Sequence, residues 1–206
     1  MIAQHFPKDK QAKILEIGCG HGAILYFAKG AGYMDVRGVD ASAEQVEAAK
    51  RLGIENVELG DAMETLRAQK DSSVDCMISF DVIEHFDRNE LLDLVDEVHR
   101  SLRAGGKWII HTVNAESPFG MRIRYGDLTH ELAFTRTSIG QLLLSSGFKK
   151  VSSFEDSPVA HGLKSAVRWG VWMVMRRILR FYLAVETGDT AKDAILTQNF
   201  LTVAVK

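Results

Sequence analysis

The sequence predicts an α/β protein: one doubly wound, mostly parallel sheet of seven strands with helices on both faces. Three observations carry that prediction. Short runs rich in β-branched residues alternate with helix-length amphipathic segments from residue 13 to about residue 156, the pattern of repeated βαβ units. The first run ends in Gly18-Cys19-Gly20-His21-Gly22, a glycine turn between a strand and a helix. At 206 residues, the chain has the length of a single domain.

Strands are expected at residues 14–17, 36–39, 57–59, 74–80, 108–113, 151–154 and 199–205. Helices are expected between them at residues 23–29, 43–52, 62–69, 88–102 and 138–146. Ser42 is a natural N-cap for the second helix, with Gln45 at the capping-box position. Gly105-Gly106 reads as the turn that ends the fourth helix. Thr137 or Ser138 reads as the start of the fifth, and Gly147 as its end. The sheet domain then comprises residues 13–156 and 196–206, with a helical insertion at about 157–195 that a minimal doubly wound domain does not need.

Composition removes several function classes. Apolar residues are 46% and charged residues 25%, which is ordinary for a globular protein and too apolar for disorder. Lys plus Arg is 25 against 27 Asp plus Glu, a net charge of −2, and this balance argues against a nucleic-acid partner. Cys19 and Cys76 have no CxxC partner, which argues against a zinc or disulfide scaffold and for a reducing, cytoplasmic location. Residues 1–13 lack the apolar centre of a secretory leader.

The glycine turn is the most informative stretch. Glycines let the backbone approach a ligand closely, and the following helix N-terminus favours an electron-rich group. The spacing is Gly18-x-Gly20-x-Gly22, and Ala23 stands where a pyrophosphate fingerprint carries its last glycine. Glu16, two residues before the turn, would repel a pyrophosphate and suits a cationic group. Asp40, at the end of the second strand, can accept from both hydroxyls of a ribose, although a helix-capping role is the plainer alternative. Asp61, after the third strand, is placed to meet an adenine amino group.

Taken together, these residues resemble the class I S-adenosylmethionine-dependent methyltransferases over residues 14 to about 156. Glu16, Gly18, Gly20 and Gly22 match the first motif, Asp40 the ribose-binding acid and Asp61 the adenine-side acid. Val74-Asp75-Cys76-Met77-Ile78-Ser79-Phe80-Asp81-Val82-Ile83-Glu84-His85-Phe86 matches the fourth-strand motif. Leu102-Arg103-Ala104-Gly105-Gly106 matches the turn before the fifth strand, with Ala104 where many members have Pro. The resemblance implies a Rossmann-like sheet whose last strand is antiparallel. It also implies S-adenosylmethionine as cofactor, contacted by Glu16, Gly18, Cys19, Gly20, Gly22, Asp40, Ala41, Asp61, Ala62, Phe80 and Asp81.

Methyl transfer from a sulfonium needs alignment and exclusion of water, and an oxygen acceptor must also lose a proton. Histidine suits the role of base because its ordinary pKa lies near working pH. His85 follows the fourth strand at the ligand-binding edge of the sheet, and a loop-ordering role is its plainer alternative. Glu84-His85 alone falls short of a metal site. His111, in the fifth strand, reads as a buried structural residue.

Residues 114–135 are long for a connecting loop and rich in polar and aromatic groups suited to a hydroxylated acceptor. Part of the stretch, Asp127-Leu128-Thr129-His130-Glu131-Leu132-Ala133-Phe134-Thr135, resembles a bacterial branch that includes sugar and ubiquinone-type O-methyltransferases. That resemblance turns His130 toward the active site. His85 and His130 are thus the candidate catalytic groups, and Glu84, Arg124, Tyr125 and Asp127 the candidate acceptor contacts. The implied acceptor is an oxygen of a small molecule or glycan, lipid-linked sugars included. A non-catalytic binding module and an N-methyltransferase are the competing readings.

Residues 164–186 form a helix-length run without Pro. Val167, Val171, Val174, Met175, Ile178, Tyr182 and Val185 share one side, and Arg168, Arg176 and Arg180 lie opposite with Trp169 and Trp172. Arginines within the span argue against a membrane crossing. Packing on the domain, capping of the acceptor pocket, a homodimer contact, and an Arg/Trp face resting on an anionic membrane surface all remain open.

Overall fold

A computed structural model describes residues 1–188, 190 and 192–206. Its seven strands are β1 (Ile14–Ile17), β2 (Val36–Asp40), β3 (Val57–Leu59), β4 (Val74–Phe80), β5 (Leu102–Val113), β6 (Lys150–Glu155) and β7 (Asn199–Val205). They lie in the order β3-β2-β1-β4-β5-β7-β6. β1 to β5 run parallel, and β7 is antiparallel to both β5 and β6. The expected seven-stranded sheet with an antiparallel last strand is the one observed.

The central strands are covered on both faces, so they read as near-continuous apolar runs. Every residue of β1 is buried, as are Cys76 to Ser79 of β4. One layer holds α4 (Ala62–Arg67), α5 (Arg88–Ser101) and α7 (Arg136–Ser145), packed through Leu66, Leu94, Val95, Val98, Ile139 and Leu143. The other holds α1 (Ile2–His5) and α2 (Ala23–Gly30), packed through Phe6, Leu25 and Ala28. The Trp108 indole is fully buried, and its N–H donates to Ser79 Oγ at 2.9 Å, which satisfies the one polar group it carries inward.

Helix boundaries follow from caps, and two differ from the sequence reading. Ser42 caps α3 (Ala43–Arg51) by accepting from the Gln45 amide, and Asp87 caps α5 with a full capping box through Glu90. α7 begins earlier than expected, because Thr135 is its N-cap and Ser138 supplies the reciprocal bond. Gly105-Gly106 does not end α5: the helix stops at Ser101 and the chain enters β5 directly at Leu102. The two glycines instead lie in a bulge of β5, where the pairing passes from Val74↔Leu102 to Cys76↔Lys107 and Gly105 takes φ +76°.

Residues 157–195, apart from 189 and 191, which lie outside the described residues, carry α8 (Leu163–Thr187) and a return segment to β7. Asn114 ties that return down, its buried amide donating to the Ile195 and Thr197 carbonyls at 2.7 and 2.8 Å. None of α8 is buried. Among the described residues no helix is long and apolar enough to cross a membrane.

Candidate active site

The carboxyl ends of β1, β2 and β4 and the residues after β3 meet at one edge of the sheet, where open α/β sheets hold ligands. The glycine turn occupies the middle of that edge. Gly18, Gly20 and Gly22 all have left-handed φ, at +64°, +54° and +80°. A Cβ on Gly18 would collide with Val82 Cγ2, and one on Gly22 would stand 2.7 Å from a Val57 methyl. These two glycines are therefore required by the chain's own packing. Gly20 is different, since a Cβ there would meet only Gln45 Oε1, at 3.7 Å.

Asp40 is locked to the turn. Its Oδ2 accepts from the Gly20 amide at 2.7 Å and its Oδ1 from the Ser42 amide at 2.9 Å. Ser42 caps the helix, so Asp40 is free of that duty. Asp61 does cap α4, accepting from the Glu64 amide at 2.9 Å. Asp40 and Asp61 line a cleft of about 670 Å³ together with Gly18, Ala41, Ala62, Asp81 and His85. Val39, Ser42, Gly60, Val82, Phe86 and Thr129 complete the wall; the sequence reading did not single out Val82 and Phe86 as site residues.

Glu16 is 2% exposed, and its Oε2 has no hydrogen-bond partner in the protein. Burial, with the nearby Asp40 carboxylate, pushes its pKa up to about 8. A buried carboxyl with an unanswered oxygen beside a second acid is a place for a cation. S-adenosylmethionine carries such charge, and its ribose and adenine present the hydroxyl and amino groups that Asp40 and Asp61 can receive. On these observations the residues fit the cofactor that the resemblance implies. Cys19 offers only backbone: its side chain is buried against Gly38, and burial pushes its thiol up to about 12, which leaves it inert.

His85 belongs to a short 3₁₀ turn, Ile83–His85, immediately beyond β4. Its Nδ1 lies 2.9 Å from Thr129 Oγ1, and that hydroxyl donates its single proton to Asp127 Oδ1 at 2.7 Å. Thr129 Oγ1 can therefore only accept from His85, so Nδ1 is the donor and Nε2 is the nitrogen left for another partner. His130 stands beside it, the two rings 4.6 Å apart at 71°. His130 Nδ1 faces the Ile123 carbonyl at 3.0 Å, which assigns it the same tautomer.

Other sequence candidates lie elsewhere. Glu84 is fully buried, accepts from Thr112 Oγ1 at 2.9 Å, and its carbonyl receives the Glu131 and Leu132 amides. It anchors the loop from behind and is not on the cleft surface. Arg124 donates to the Glu131 carbonyl and covers the Tyr125 ring, and Tyr125 is 73% exposed, so this pair shapes the loop's outer side.

His111 is more than a core residue. Its Nδ1 lies 2.8 Å from Asp81 Oδ1, its Nε2 3.6 Å from Asp156 Oδ2, and its ring stacks on Phe80 at 4.7 Å. Burial works against its charge, but Asp156 and Asp81 outweigh that and raise its pKa to about 9. Phe80 and His111 line a second cleft, of about 920 Å³, with Arg136, Asp156, Arg176 and Lys192. Asp81, left-handed at φ +52°, stands between the two clefts: it lines the first and holds His111 of the second. A strained non-glycine residue at a strand end is a frequent mark of a functional site.

A family described as "Methyltransferase domain" matches residues 2–153. Cyclopropane mycolic acid synthase 3 of Mycobacterium tuberculosis is 25% identical over 191 residues, covering 88% of this chain and 62% of that protein. The chain thus spans less than two thirds of the length of that curated relative. In fold, the chain is similar to a SAM-dependent methyltransferase from Archaeoglobus fulgidus, at TM-score 0.72 and 22% identity over 95% of this chain and 86% of that one. It is also similar to phosphoethanolamine N-methyltransferase 2 of Haemonchus contortus, solved with S-adenosyl-L-methionine, at TM-score 0.67 and 18% identity over 100% of this chain and 51% of that one. The family match takes in most of the sheet and the whole glycine-turn cleft, and the chain belongs to the methyltransferase-domain family, within the class I, S-adenosylmethionine-dependent methyltransferases.

Proposed function

We propose that this chain transfers the methyl group of S-adenosylmethionine to a hydroxyl of a small molecule or glycan, with His85 as the general base. When bound, the cofactor supplies an electrophilic methyl group on a sulfonium. Asp40 receives the ribose hydroxyls and Asp61 and Ala62 the adenine end. The glycine turn with Glu16 takes the cationic amino-acid end, and Asp81 closes the cleft toward the acceptor.

The observation that carries the hydroxyl acceptor is the tautomer of His85. Its Nδ1–H is held by Thr129 and, through it, by Asp127, which leaves Nε2 to accept a proton at the rim of the cleft. Nε2 would take the proton of the acceptor oxygen as that oxygen bonds to the methyl carbon and the methyl–sulfur bond breaks, its electron pair staying on sulfur as a neutral thioether. The charge that develops on the ring is then answered by the Thr129–Asp127 chain. His130, in ring contact, offers a second acceptor nitrogen.

An assay with isotope-labelled S-adenosylmethionine across hydroxylated acceptors tests this reading. Label should pass to a hydroxyl, and His85→Gln should lower kcat about 100-fold or more while leaving cofactor affinity unchanged. Cofactor binding without transfer to any acceptor would leave only the binding-module reading. Transfer to an amine alone, insensitive to His85, would replace the hydroxyl with a nitrogen.

A further inference from the structure

α8 presents the opposite side to solvent from the one a core-packed helix presents. Its half-buried side carries Trp172, Arg176 and Arg180 as well as Met173, Leu179 and Leu183. Arg176 donates to Glu155 Oε2 at 2.6 Å and to the Ala194 carbonyl, and Arg180 donates to the Thr190 carbonyl. These bonds fix the arginine side against β6 and the return segment, so the reading in which that side meets a membrane is overturned. The apolar side is left in water. Val167, Val171, Val174, Ile178, Phe181 and Val185 are each 54–70% exposed. They form one stripe along a helix of 25 residues, about 37 Å long.

Charge selects the occupant of this stripe. Lys164, Arg168 and Arg177 flank it and are exposed, and the only acid in α8 is Glu186, in its last turn. A second copy pairing through the same stripe would set these cations against one another along the rim, with almost no acid on the helix to answer them. An anionic lipid surface answers both features at once, taking the apolar stripe into the headgroup boundary and the cations onto phosphate. We propose that α8 lies in the plane of an anionic membrane, stripe inward, as the protein's peripheral docking element. The proposal is independent of the methyl-transfer reading.

Co-sedimentation of the whole chain with vesicles tests it. The protein should pellet with phosphatidylcholine vesicles containing phosphatidylglycerol, stay in solution with phosphatidylcholine alone, and be released by added salt. Val171→Asp with Ile178→Asp, and separately Arg168→Glu with Arg177→Glu, should each lower binding about tenfold or more. Circular dichroism and thermal melts matching the parent show that such variants are folded. The wild-type comparison of lipids and salt decides the matter should one of them not be. Absence of pelleting with the anionic vesicles at low salt overturns the proposal. So does a dimer, seen by light scattering, that the Asp pair makes monomeric while vesicles bind nothing.

Discussion

Thr129 Oγ1 stands 2.9 Å from His85 Nδ1 and gives its own proton to Asp127 at 2.7 Å, so one hydroxyl makes Nδ1 of His85 the donor. Thr129→Val keeps the shape and removes the bond. The expected result is a kcat about 10- to 100-fold lower with cofactor affinity unchanged, and recovery in Thr129→Ser. The loss should fall on kcat and not on KM for the cofactor. A packing role alone would leave Thr129→Val, which keeps the shape, as active as the parent.

Glu16 makes cofactor binding depend on pH. With its pKa at about 8, the free protein holds this carboxyl protonated at neutral pH, and a bound cation favours the ionised form. Affinity for S-adenosylmethionine should therefore rise with pH up to about 8, by at most about tenfold per unit, and level off above it. Glu16→Gln should flatten the curve. Calorimetry in buffers of different ionisation enthalpy would register the released proton. For the unliganded fold the sign is reversed. The folded state holds a proton that the unfolded chain gives up near 4.5, so stability should fall as pH rises from about 4.5 to about 8.

The His111 cluster has its own pH signature. Its folded pKa of about 9 lies above the ordinary 6.5, so its pairing stabilises the fold fully below pH 6.5, and that contribution is lost as pH rises through about 9. Asp156 is held below its ordinary value mainly by His111, so its share is present above about pH 3.8 and lost in acid. Asp156→Asn should move the His111 titration, followed by NMR of its ring protons, down by about a unit or more. An unmoved titration would remove Asp156 as its partner.

The glycine-turn cleft was legible because it is made of strand ends. In a parallel sheet, residues at or just past the strand ends lie at a common edge, so Asp40 and Asp61 could be placed from their positions in the chain, while Asp81 came with the family resemblance. The His111 cluster was not legible. Asp156, just past β6, reaches His111 only because β7 runs antiparallel between β5 and β6 and sets the end of β6 level with His111. The loop at 114–135 has no periodicity to say which side chains turn inward. Asp127 and Thr129 support His85, while Arg124 and Tyr125 face out. For α8, a helical wheel identifies the residues that share a side but not which side meets the protein. Glu155 and the return segment decide that by binding the arginines.

Calorimetric titration of S-adenosylmethionine into the wild-type chain and into Asp40→Ala tests the central claim most directly, because Asp40 joins the glycine turn to the cleft. The account predicts saturable binding by the wild type at a single site and an affinity about tenfold or more lower in the variant. No binding by the wild type, or equal affinity in the two proteins, would contradict it.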